Sequence, residues 1–275
     1  MSAESHDLRI IEIDASDIAR HPDAIDRILR REVFGVLVRG VFPAEHLARV
    51  VARLEREPAM PMFESDTFSG RTYGRVLRMA DGKLDEYFAA ARQMGPALAA
   101  AFADGPGYEE RLREVLGALG GGRPVCVPRV GARTYAPATV RVIDPGGTIF
   151  LHCGNETHAF PALGELTQII DPTGEISTLI PLALPEAGGE LEIYDLCFGD
   201  PLIGELDDSL GRTSAHQGLA ERRCVRLRPA VGDLVLFEEG RHYHRVNEVR
   251  GTRPRWTMGG FLAPSRDAHT LHYWS

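Results

Sequence analysis

The sequence is poor in cysteine: four in 275 residues, at positions 126, 153, 197 and 224, with no Cys-x-x-Cys pair. That spacing argues against both a structural zinc site and a disulfide framework. Free thiols in a reducing compartment are the expectation. There is no run of Lys and Arg, and 31 basic against 39 acidic residues leave a formal charge of −8. Nucleic acid and anionic membrane surfaces, which need concentrated positive charge, are poor partners for such a chain. No apolar run approaches the roughly 20 residues of a membrane span. The first seven residues carry acids and no apolar core of a leader peptide, so a cytoplasmic location is expected.

What is present divides into two halves. Residues 1–120 read as a helix-rich flank, within one domain spanning 1–275. After a strand at 8–13, apolar spacing of 3.6 marks 14–31 as helical, split at Pro22. A short strand follows at 34–39. Pro43 opens a helix that runs on through 44–57. Further helices are expected at 84–103 and 108–119, stopped by Gly120-Gly-Gly before Pro124. From 121 onward the period becomes two. Strands are expected at 139–143, 148–152, 177–182, 189–194, 225–227, 233–237, 242–246 and 256–262. Short strands after a helical half indicate an α+β fold with a mainly β core: a double-stranded β-helix, or jelly roll, with N-terminal flanking helices.

The chemistry-bearing residues sit in the second half. His152-Cys153-Gly154 ends one strand, and Arg241-His242-Tyr243-His244 opens another. Arg253 and Arg255 follow. A histidine, a long gap, a second histidine and then an arginine is the order found in iron(II)/2-oxoglutarate enzymes. Those enzymes normally hold iron through two His and one carboxylate, and an arginine can clamp the cosubstrate's carboxylate. Here the carboxylate position, two residues after His152, is Gly154. Glycine there leaves space in which a halide would restore both a ligand and a charge. Strand periodicity puts His242 and His244 on one face and cannot choose between them. A cupin reading would use His242, His244 and Glu248 on one hairpin, and a non-catalytic jelly-roll binding module is a third class. Glu156 and His158 read as residues of a solvated loop, and Cys153 as packing. Asn155 is either a donor beside the site or a loop cap. Pro254 starts a strand late, leaving Arg253 in the loop.

The chain resembles the freestanding iron/2-oxoglutarate halogenases of the hapalindole and welwitindolinone alkaloid pathways. The resemblance lies in Leu37-Val-Arg-Gly-Val-Phe-Pro, Thr134-Tyr-Ala-Pro-Ala-Thr-Val-Arg, His152-Cys-Gly-Asn, Ile180-Pro-Leu-Ala-Leu-Pro-Glu-Ala-Gly-Gly-Glu-Leu, Gly240-Arg-His-Tyr-His-Arg-Val, Gly259-Gly-Phe-Leu-Ala and Tyr273-Trp-Ser. It implies His152 and His244 as iron ligands, Gly154 as the halide position and Arg255 as the 2-oxoglutarate anchor, supported by Thr257. Thr139 and Arg141 lie on the preceding strand as further cosubstrate contacts, and Ser177 matches a position that influences halogenation over hydroxylation. Implied too are Fe(II), 2-oxoglutarate, chloride and O₂, and chlorination of an aliphatic C–H bond with succinate and CO₂ as co-products. The substrate would be a freestanding, alkaloid-like natural product needing no carrier protein. A hydroxylase lacking the metal carboxylate is the alternative. Divergence is greatest at residues 55–105, which in the family help to wall the substrate pocket, and at 195–222.

Overall fold

The computed structural model describes residues 8–56, 60–65, 68–157, 160–205 and 217–275. Its frame is two facing sheets. The larger runs in the order Ile10–Asp14, Gly35–Arg39, Leu234–Phe237, Ile176–Ala183, Arg255–Pro264, Thr139–Ile143, Gly70–Tyr73 and Met62–Glu64. Leu271–Trp274 pairs with the far end of Arg255–Pro264 and with Val125–Cys126. The smaller sheet runs Cys224–Leu227, Leu191–Cys197, His242–Val246 and Ile149–His152, antiparallel throughout. This is the expected double-stranded β-helix.

Alternation along the strands builds two cores at once. Val36, Val38, Leu234 and Leu236 face the helices. Their neighbours Leu37, Val235 and Phe237 face the smaller sheet, where they meet Ile149, Leu191, Ile193 and Val246. Helices α1 (Ala24–Leu29), α2 (Ala44–Arg56), α3 (Leu84–Ala101) and α4 (Tyr108–Leu119) cover the outer face. In α2, Leu47, Val50 and Leu54 recur at helical spacing and are buried. No helix among the described residues is long and apolar enough to cross a membrane.

Beyond several two-residue strands, two larger features depart from the sequence reading. Met62–Glu64 and Gly70–Tyr73 form a hairpin docked on Thr139–Ile143, and Leu271–Trp274 is a strand. The hairpin strands are three and four residues long, only Tyr73 in them is buried, and their pairing partner lies far along the chain. Local pattern could not carry them.

Candidate metal and cosubstrate site

His152 and His244 are register partners across the antiparallel ladder of the smaller sheet, their rings 4.3 Å apart. Each Nδ1 turns back on its own strand: His152 to the Phe150 carbonyl at 2.8 Å, His244 to the His242 carbonyl at 3.0 Å. A neutral ring donates to those carbonyls through Nδ1–H, which leaves the Nε2 lone pair for a metal. Burial, then the neighbouring His244, pushes His152 down to about pKa 3. Burial also lowers His244, against the pull of Glu239. Both imidazoles are therefore neutral at neutral pH, as metal ligation requires. Both line one cavity of about 560 Å³.

His242 is excluded from that cavity although it lies two residues from His244. The pairing of its strand with Leu191–Cys197 shifts register, setting His242 opposite Cys197. Its ring packs edge-on against Phe34 at 4.9 Å, with Nδ1 3.2 Å from the Tyr194 carbonyl. Glu248 is exposed and stands 3.9 Å from Arg250. The cupin set of His242, His244 and Glu248 is not assembled on the cavity wall. Glu156 sits in a 3₁₀ turn at the cavity wall and accepts a hydrogen bond from the Tyr243 hydroxyl at 3.0 Å, in place of the solvated loop expected. Cys153 is buried among Leu151, Tyr194, Leu196 and Tyr243, and burial raises its thiol to about pKa 11. Asn155 donates its backbone N–H to the Gly240 carbonyl at 2.7 Å. His158 lies outside the described residues.

Gly154 has no left-handed backbone that would itself demand glycine; the space around it does. A Cβ at this position would lie 2.6 Å from Glu239 Oε1 and 3.0 Å from Glu175 Oε1. The Gly154 N–H donates to the Glu239 carbonyl at 3.0 Å, so backbone pairing sets these two residues side by side. Glu239 is 2% exposed, and its Oε2 is 3.6 Å from His244 Nε2. Its Oε1 stands 2.9 Å from Arg78 Nη2 but off the N–H directions, giving a charge contact without a hydrogen bond. Arg78 also pairs with Glu175. Burial raises Glu175 to about pKa 8, with Glu239 reinforcing and Arg78 opposing. Burial would raise Glu239 too, but Arg78 and then Glu175 outweigh it, and Glu239 is the carboxylate that stays ionised. Sequence reasoning missed Arg78, Glu175 and Glu239. The consecutive acids Glu238 and Glu239 at the end of an apolar strand are a faint signal, and nothing local distinguishes the inward one.

On the opposite wall, Arg141 and Thr257 are register partners, and Arg255 lies two residues from Thr257 on the same strand. Arg141 and Thr257 line the cavity; Arg255, 4% exposed, is packed behind them and donates weakly to Thr257 Oγ1 at 3.4 Å. Burial, then Arg141, lowers Arg255 to about pKa 10. Among the described residues neither guanidinium pairs with an Asp or Glu. A buried cation without a counter-ion is costly, and a dicarboxylate cosubstrate would supply one. Thr139 and Ser177 also line the cavity, Thr139 bonded through its hydroxyl to Ser275 Oγ at 2.8 Å. The rest of the wall is largely apolar: Phe63, Phe68, Phe150 and Phe261, with Met79 and Phe160 at the more exposed rim. Arg253 is at the surface against Glu186.

A family model described as carrier-protein-independent halogenase WelO5 matches residues 8–275. No curated protein matches the chain. Among solved structures it is similar to an N-substituted L-amino acid dioxygenase from Burkholderia ambifaria AMMD. With alpha-ketoglutarate bound, that structure has TM-score 0.53 and 17% identity, over 94% of this chain and 91% of the other. Without it, the values are 0.52 and 19%, over 93% and 91%. A 2OG-Fe(II) oxygenase family oxidoreductase from Burkholderia pseudomallei matches at TM-score 0.47 and 16% identity, over 98% and 100%. At these identities the dioxygenase likeness speaks for the fold.

Proposed function

The chain belongs to the carrier-protein-independent halogenase family, and on that premise we propose that it is a non-haem Fe(II)/2-oxoglutarate-dependent enzyme acting on an aliphatic C–H bond of a freestanding small molecule. One observation carries this reading. Two neutral imidazoles with Nε2 turned away from their own strands face one cavity with the Arg141 guanidinium, which like Arg255 behind it has no carboxylate partner among the described residues. His152 and His244 would hold the iron. Arg141 and Thr257 on the cavity wall, with Arg255 packed behind them, would hold 2-oxoglutarate, and Thr139 buttresses that wall. Iron, 2-oxoglutarate and O₂ together supply an oxidant able to take hydrogen from an unactivated carbon, with succinate and CO₂ as co-products.

The protein supplies orientation and a dry site. The phenylalanine walls favour a substrate with a large apolar surface, in keeping with an alkaloid-like natural product of a cytoplasmic biosynthetic route. No carrier protein is needed. Ser177, on the wall, would influence which group the substrate carbon receives. Chlorine is the family's outcome and requires chloride beside Gly154. Hydroxyl is the second reading, favoured by the carboxylate of Glu239 in that same space.

Anaerobic addition of Fe(II) and then 2-oxoglutarate tests the reading without any substrate. A visible metal-to-ligand charge-transfer band is expected. Its absence from the folded protein would overturn the reading.

A further inference from the structure

We propose that Glu239 is the metal carboxylate of this site, delivered from the turn before the second histidine strand into the space that Gly154 leaves. The inference rests on the iron reading above and goes beyond it by naming the third protein ligand.

The geometry starts from the backbone. The Gly154 N–H to Glu239 carbonyl bond and the Asn155 N–H to Gly240 carbonyl bond continue the pairing of the two histidine strands past their ends. Residue 239 is thereby locked opposite residue 154. A side chain leaving residue 154 would start 2.6 Å from Glu239 Oε1, so the two positions aim at one volume. The ligand-bearing side chain has in effect moved across the ladder, from the first histidine strand to the second. Oε2 already stands 3.6 Å from His244 Nε2. Neighbouring donors about 2.1 Å from a metal, at right angles, stand about 3 Å apart, so a small shift suffices. Among the described residues no group of three His, Cys, Asp or Glu side chains is placed to hold a metal ion, so the Glu239 carboxylate must move before it joins the two imidazoles.

Charge counting agrees. Two carboxylates, Glu175 and Glu239, face the single guanidinium of Arg78, so Arg78 keeps a carboxylate partner in Glu175 when Glu239 turns to the metal. A divalent cation on two neutral imidazoles lacks an anion. Arg78 and Glu175 then act as positioning residues that aim the Glu239 carboxylate.

With the position filled by protein, chloride has no place on that side of the metal, and the reaction becomes hydroxylation. One atom of O₂ enters succinate as 2-oxoglutarate loses CO₂. The other enters the product, where a C–H bond is replaced by C–O–H: R–H + O₂ + 2-oxoglutarate → R–OH + succinate + CO₂. Chlorination would instead consume Cl⁻ and H⁺ and release water.

The test reads Co(II) binding by its visible spectrum, independently of turnover. Glu239→Gln, which keeps the shape of the side chain, is expected to weaken Co(II) binding by at least about tenfold, the loss usual for residues one step further from a metal. Glu238→Gln, whose parent points away from residue 154 towards Arg31 at 3.3 Å and Arg241 at 4.0 Å, is expected to bind as the wild type does. Chloride is expected to leave the wild-type Co(II) spectrum unchanged and to shift that of Glu239→Ala saturably. Wild-type affinity in folded Glu239→Gln, or a saturable chloride shift in the wild type, overturns this inference alone. A wild type with no Fe(II)–2-oxoglutarate charge-transfer band overturns the iron reading and this inference with it.

Discussion

Histidines 242 and 244 differ at the scale of single residues more than their spacing allows. Period two predicts one shared face. The register shift between Ile193 and Cys197 in the partner strand breaks that equivalence. His244 meets His152 in the cavity, while His242 packs under Phe34. His244→Ala is expected to abolish Co(II) binding and leave the fold in place. His242→Ala is expected to bind Co(II) normally and to unfold at lower temperature. It deletes a buried ring and its bond to the Tyr194 carbonyl, a loss of about 2 kcal/mol or more. Paired metal titrations and thermal melts separate the two, and a reversed pattern would restore the cupin assignment. His152 and the glycine at 154 were legible because that motif is contiguous, and His244 because it lies in a second short block that resembles the family. Glu239 was not, because proximity to residue 154 arises from two strands 85 residues apart in sequence (239 − 154 = 85).

At the scale of elements, the hairpin of Met62–Glu64 and Gly70–Tyr73 forms part of the cavity wall. It contributes Phe63 to the cavity wall and docks on Thr139–Ile143, the strand that carries Arg141. Its attachment depends on Gly70, whose φ is +145° and where a Cβ would lie 2.0 Å from the Val142 carbonyl oxygen. Any side chain there is strained and collides with backbone. Gly70→Ala is therefore expected to unseat the hairpin while leaving Co(II) affinity unchanged. Limited proteolysis between residues 60 and 75 should become faster, and equal cleavage rates in variant and wild type would contradict this. The long helices and the strands with strong alternation were legible from the sequence. This hairpin was not, since its short, mostly unburied strands are held by a distant partner.

Across the whole molecule, acid stability depends on carboxylates held ionised in the folded state. Glu192 accepts hydrogen bonds from Tyr194, Arg226 and Arg245, tying three strands of the smaller sheet together. Burial alone would raise its pKa, but these bonds prevail and hold it at about 2, below the ordinary 4.5. A depressed carboxylate contributes stability that is complete above the unfolded value and is lost as pH falls through the folded one. Wild-type melting temperature should therefore fall between about pH 4.5 and pH 2. Glu192→Gln should melt lower at neutral pH and vary less across that window, and parallel curves for the two would contradict the assignment. The sequence by itself indicated the double-stranded β-helix, the helical flank and the absence of an acid at 154, because periodicity, punctuation and a contiguous motif are local, while the choice of His244 over His242 came from the family resemblance. Only the tertiary structure decided what stands in the space at 154. Strand register brings Glu239 there, with Arg78 and Glu175 behind it, and register is a property of paired chains that no single segment contains.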